Sequence, residues 1–122
     1  MQSLFDAYVE AALWSSTEDD GTPLDRDHVP ADIDHETFEK MRSDCEKFQE
    51  ANSEHLTAEN TSTRYGFDAQ AGHDFWLTRN HHGCGFWDGD WNEPAATKLT
   101  ESSHGFGTFY LYIGDDGKIY GE

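Results

Sequence analysis

Aromatic side chains set the terms on which this chain can fold. Only 35% of its 122 residues are hydrophobic, yet these include eight Phe, five Tyr and four Trp. An enclosed ring removes about 150–250 Å² from water, so a few rings can supply a core that sparse aliphatic residues cannot. Disordered chains are short of such residues, and this one therefore reads as folded. Its length fits one domain, 1–122, burying roughly two-thirds of the surface its unfolded form exposes.

Apolar periodicity then places the elements. Ser3 with Asp6 marks a capped start, and Leu4, Phe5, Tyr8, Val9, Ala12 and Leu13 recur at helical spacing, predicting a first helix over 4–14. Residues 16–33 hold Asp20-Gly21, Pro23 and Pro30 without any apolar rhythm and read as a long loop with room for a turn of helix. Asp34 caps a second helix, about 34–52, whose stripe is Phe38, Met41, Cys45 and Phe48. A loop is expected over 52–72. Phe75–Arg79 and Gly85–Trp87, joined by Asn80–Cys84, have the look of a β-hairpin. Asn92-Glu93-Pro94 opens a third helix that Gly105 ends. Phe106–Ile113 reads as a strand, turned at Asp116-Gly117 onto Lys118-Ile119-Tyr120. The expected class is α+β: two N-terminal helices, then a small antiparallel sheet of three to four strands with one further helix.

Charge narrows the function. Twenty-five Asp and Glu against eight Lys and Arg give a net charge of −17. Nucleic acids and anionic membranes demand basic patches, so neither is an expected partner. A basic protein surface is, such as the nucleic-acid groove of another protein. Acidity can also serve only solubility or tolerance of high salt. Two cysteines are too few for a disulfide framework, no apolar run has the ~20 residues of a membrane helix, and no signal peptide is visible. The expected compartment is the cytoplasm.

Gly72-His73-Asp74-Phe75-Trp76-Leu77-Thr78-Arg79-Asn80, followed by Gly83 and Gly85-Phe86-Trp87-Asp88, forms a long motif. With Tyr110-Leu111-Tyr112-Ile113-Gly114-Asp115-Asp116-Gly117-Lys118-Ile119-Tyr120 it resembles a family of small acidic proteins encoded by tailed phages and mobile elements. His81 and Cys84 stand where that family has Gly and Ala. The resemblance implies a phage-type product acting in a host cell's cytoplasm, and no catalytic activity comes with it. Inhibition of host machinery follows by analogy with other small acidic proteins of that origin.

Candidate sites fall in two places. The acidic stretch Glu18, Asp19, Asp20, Asp25, Asp27, Asp32 and Asp34, with Glu36 and Glu39 on the following helix, is the expected contact for a basic host protein, such as a nucleic-acid-binding or defence protein. Arg79, His82, Asp88 and Asp90 are the alternative, a small enzyme or metal site on the 73–90 hairpin. His81 and His82 would point to opposite faces of a strand, which hinders a shared zinc ion. A reactive Cys84 would need a neighbouring cation, against the average field of a −17 protein. Asp88-Gly89-Asp90 lacks the twelfth-position Glu of a calcium loop, since Leu99 stands there. Neither a catalytic set nor a cofactor is therefore expected. Arg79 is expected to pair with Asp74, Asp88 or Asp90, and Phe75, Trp76, Phe86, Trp87 and Trp91 to pack as an aromatic core. A third reading is an accessory module whose acidity is solubilising only.

DNA imitation sets a stricter standard. Seventeen charges over roughly 6,700 Å² of surface is far thinner than the one per about 100 Å² of a DNA cylinder. Mimicry thus needs the acids gathered on one face. Residues 18–59 carry fourteen acids and four bases, and residues 60–122 nine and four.

Overall fold

The computed structural model describes residues 2–61 and 63–122; Met1 and Ser62, the latter within the loop expected over 52–72, lie outside the described residues. Helices α1 (Leu4–Ser15), α2 (Leu24–Asp27), α3 (His35–Ala51), α4 (Phe67–Arg79) and α5 (Ala95–Gly105) are followed by strands β1 (Leu111–Ile113) and β2 (Ile119–Gly121), with a 3-10 turn at Pro30–Asp32. The strands pair antiparallel, Leu111 opposite Gly121 and Ile113 opposite Ile119. The chain is mostly helical with one small two-stranded sheet, which overturns the expected three- to four-stranded one.

The first and second expected helices are present as α1 and α3. Ser3 Oγ accepts from Asp6 N at 3.0 Å, and Asp34 Oδ2 accepts from Thr37 N. The third begins at Ala95, with Glu93 accepting from Thr97 N at its start. Gly117, at φ 82°, makes the expected turn between the strands. At positive φ a Cβ would be strained, which is why glycine suits it.

The hairpin expected at 75–87 is the main correction. Phe75–Arg79 is the last part of α4, and Gly85–Trp87 is a turn. Every residue from Asp74 to Asn80 is buried, so this end of the helix has no polar face. A short enclosed helix and a core strand both read as an unbroken apolar run. Aromatic strand propensity reports packing on an enclosed surface more than backbone preference, and a buried helix supplies the same packing. Side chains of α4 and the residue capping it then claim the backbone groups that a sheet would have used. Thr78 Oγ1 accepts from Phe86 N at 3.1 Å, and Asn80 Oδ1 accepts from Phe109 N at 2.8 Å. The carbonyls of Phe106 and Gly107 accept from Arg79. The strand expected over 106–113 is accordingly reduced to Leu111–Ile113.

Helices α1 and α4 pack closely along small residues, and Gly72 marks the point of nearest approach. A Cβ there would lie 2.8 Å from both Ala7 Cβ and Tyr8 N. That separation is well inside van der Waals contact, so any larger residue pushes the two helices apart. Rings fill the rest of the core. Phe48 stacks on Phe75 with centroids 4.1 Å apart, and Tyr8, Phe86, Phe106 and Trp91 close around them. Trp87 was expected in this group but is 54% exposed.

Candidate binding surface

The motif of residues 72–88 is spent on architecture. Arg79 is 1% exposed and reaches three parts of the fold at once. Its guanidinium donates to Asp44 Oδ2 at 2.9 Å on α3, to Tyr8 Oη at 3.0 Å on α1, and to the Gly107 and Phe106 carbonyls at 2.9 and 3.1 Å. Its ion-pair partner is thus Asp44, not Asp74, Asp88 or Asp90. Lys40 donates to the second Asp44 oxygen at 2.9 Å. Trp76 Nε1 donates to Ser15 Oγ, tying α4 to the end of α1. Sequence reasoning passed over Asp44, although its position gave a signal. It stands three residues after Met41 and four before Phe48, on the buried stripe of α3. An acid at such a position calls for a buried cation.

Asp74 is the other enclosed acid, accepting from Gln70 Nε2 at 3.0 Å and Trp91 Nε1 at 2.7 Å. Burial pushes its carboxyl up to about 6, against the pull of those two hydrogen bonds, and the charges of Asp88 and Asp90 add to the rise. The unfolded carboxyl titrates near 3.8, so between about pH 4 and 6 the native state holds the extra proton. Asp74 therefore costs the fold nothing below pH 4. The cost grows as pH rises towards 6 and levels off above it at about 3 kcal/mol. Asp74→Asn keeps an acceptor for Trp91. Relative to the parent it should gain roughly 1–3 kcal/mol at pH 7 and nothing at pH 4. Urea unfolding of both proteins from pH 4 to 7 measures the difference.

The remaining members of the alternative site do not converge with Arg79. His82, Asp88 and Asp90 are exposed on the 82–90 turns while Arg79 lies in the core. Asp88 Oδ2 accepts from Gly85 N at 3.2 Å, and the Asp90 carbonyl accepts from Thr61 Oγ1 at 2.7 Å. Partial burial and the neighbouring Asp88 hold the Asp90 carboxyl above its usual range. Cys84 is exposed, and partial burial with the nearby acids raises its thiol rather than activating it. His81 stacks on His104 at 4.8 Å. Among the described residues no three His, Cys, Asp or Glu side chains are grouped as a metal site would require.

The acidic stretch holds the expected turn of helix as α2, and is pinned more firmly than the loop expected over 16–33. Thr17 bridges to Pro23, Glu18 N donates to the Thr22 carbonyl, and Leu24 N donates to Ser16 O. Leu24 is fully buried, and Ile33 is buried where it bridges to Ile119 of β2. His28 sits between two acids, its Nε2 3.9 Å from Glu18 and its Nδ1 3.5 Å from Asp32. The nine candidate acids divide by what holds them. Asp20, Asp32 and Asp34 accept from backbone N–H groups of Thr22, Val29 and Thr37, and Glu39 pairs with Arg42. Asp19, Asp25, Asp27 and Glu36 are exposed and have no side-chain partner among the described residues.

Two concavities adjoin this stretch. An apolar groove of about 480 Å³ lies between α1 and residues 25–30, floored by Phe5, Val9, Leu13 and Phe38 and rimmed by Asp6, Glu10 and Asp25. A cleft of about 680 Å³ separates Glu18, Asp19 and Asp20 from β1. The whole accessible surface is 6743 Å²; divided by 17 net charges this is about 400 Å² each, too thin for uniform DNA imitation. Over 18–36, however, eight acids face a single Arg, Arg26. No helix among the described residues is long and apolar enough to cross a membrane. No family model, curated protein or solved structure matches the chain.

Proposed function

We propose that this chain is a phage-type binding protein that inhibits a host factor by seating the acidic surface of residues 18–36 on a basic, nucleic-acid-binding groove. One observation carries the reading: Asp19, Asp25, Asp27 and Glu36 project without internal partners from a segment that Leu24 and Ile33 anchor in the core. A surface ordered before binding loses little conformational entropy on association, and clustered charge speeds encounter with an oppositely charged partner. The likeness of residues 72–88 and 110–120 to phage-encoded acidic proteins supports the host setting.

The test is retention of basic host proteins on the immobilised chain. Retention should fall sharply between low salt and ~1 M salt, where charges are screened beyond about 3 Å. Duplex DNA should compete. The variant Asp19→Lys, Asp25→Lys, Asp27→Lys, Glu36→Lys should bind at least about 100-fold more weakly at low salt while melting like the parent. Retention indifferent to salt and to the four reversals would sink the proposal.

A further inference from the structure

The sheet leaves one edge open, and the register shows which groups line it. Tyr110 and Glu122 exchange both backbone hydrogen bonds, each at 2.9 Å, and Gly114 N donates to the Lys118 carbonyl. In an antiparallel pair such positions alternate with ones whose N–H and C=O point away from the partner strand. Leu111 and Ile113 are those alternate positions, facing Gly121 and Ile119 as non-hydrogen-bonded pairs. Their four backbone polar groups therefore point away from β2, and no backbone partner for them exists among the described residues. The far edge of β2 is different, because Ile33 bridges to Ile119 and Asp34 N donates to the Ile119 carbonyl at 2.8 Å.

The 680 Å³ cleft runs between Leu111–Ile113 and the turn carrying Glu18, Asp19 and Asp20. Tyr112, 45% exposed and stacked on Tyr120 at 5.9 Å, stands on the sheet beside it. Exposed strand edges pair with any extended backbone unless something blocks them, and β1 carries no Pro, Lys or bulge to do so. Charge selects the occupant. Three carboxylates oppose the edge, Asp19 is unpaired, and the nearby Glu18 is shared only with His28. An acidic strand would be repelled there and a basic one drawn in.

We propose that the open edge of β1 takes up an extended, basic segment of the partner protein as a third strand. This rests on the acidic-surface reading above and gives the partner's chemistry. Such a segment has apolar residues at alternate positions to cover the Leu111 and Ile113 side of the sheet. Lys or Arg between them reach Glu18, Asp19 and Asp20. Backbone pairing supplies affinity and the alternation supplies selectivity.

The probe is a synthetic Thr-Lys-Val-Lys-Val-Lys-Thr peptide with blocked ends, compared with two forms N-methylated either on the Val amides or on the Lys amides. A strand added at an edge turns only one alternate set of N–H groups towards its neighbour. One methylated form should therefore bind roughly tenfold or more weakly and the other like the parent. Bound peptide should slow hydrogen exchange of the Leu111 and Ile113 amides at least about tenfold. Glu18→Lys with Asp19→Lys should weaken binding by a similar factor. Equal binding by all three peptides, or unchanged exchange at Leu111 and Ile113, overturns strand addition yet leaves the acidic-surface reading standing. Absence of peptide binding by a chain that still retains basic proteins overturns the edge site alone. A chain that binds the peptide by this pattern but retains no basic protein upholds the edge site and overturns the inhibitory reading.

Discussion

Replacing Arg79 with methionine should cost about 3–5 kcal/mol, the largest effect of any single polar change in the chain. The side chain is enclosed, and its removal strands several groups together. Asp44 keeps only Lys40, the Tyr8 hydroxyl loses its hydrogen-bond partner, and the Phe106 and Gly107 carbonyls lose their donors. An uncompensated buried carboxylate is expensive, whereas a vacated pair refilled with apolar groups is often neutral. Arg79→Met combined with Asp44→Leu should therefore recover the part of the loss owed to the stranded carboxylate, while the Tyr8 hydroxyl and the two carbonyls stay unpaired. Lys40→Met, which removes the half-exposed partner of the same acid, should cost less than about 1 kcal/mol. Urea midpoints of the four proteins at pH 7 test the set. A single Arg79 variant as stable as the parent would dismiss the network as a stabilising element.

Phe75→Ala should cost a comparable 3–5 kcal/mol, for a different reason. The ring is fully buried and stacked 4.1 Å from Phe48, with Phe106 edge-on at 5.1 Å and Tyr8 at 5.3 Å. These neighbours sit on α1, α3 and the segment after α5, so no one element can move in to close the void. Cavities that cannot collapse carry the upper end of the cost. A domain of this size has a total stability of roughly 5–15 kcal/mol, so the variant should unfold well below the parent's temperature in a calorimetric scan. The guanidinium of Arg79 also lies 5.5 Å from the centre of this ring. The two substitutions share neighbours, and their combined effect should fall short of the sum.

The legible parts of the sequence were those with a repeating local signal. The stripe of Phe38, Met41, Cys45 and Phe48 sufficed for α3, because one face is wet and the other dry. Asp116-Gly117 sufficed for the final turn, because few residues adopt positive φ cheaply. The 72–88 motif could be seen as a unit but not interpreted. From Asp74 onward its helix is enclosed on all sides, so the periodicity that announces a helix is erased there, and its rings resembled a strand. The candidate surface was legible as composition alone. That eight acids crowd 18–36 is plain from the letters. Four of them are free and three serve as turn or helix caps, which depends on where each backbone N–H points.

Sequence by itself determined that this chain folds around rings, that it carries helices at both ends of its first 52 residues, and that its net charge is strongly negative. Those properties are sums or local rhythms, and neither needs a third dimension. Tertiary structure alone decided that Arg79 meets Asp44 across 35 residues, that Trp87 leaves the core, and that residues 18–34 are anchored rather than loose. It alone decided that Leu111 and Ile113 turn their backbone away from β2, beside a cleft that Glu18, Asp19 and Asp20 also line. A buried charge takes whichever partner the packing brings within about 3 Å, and a strand edge is open only if nothing else in the fold covers it. Both are properties of the assembled chain.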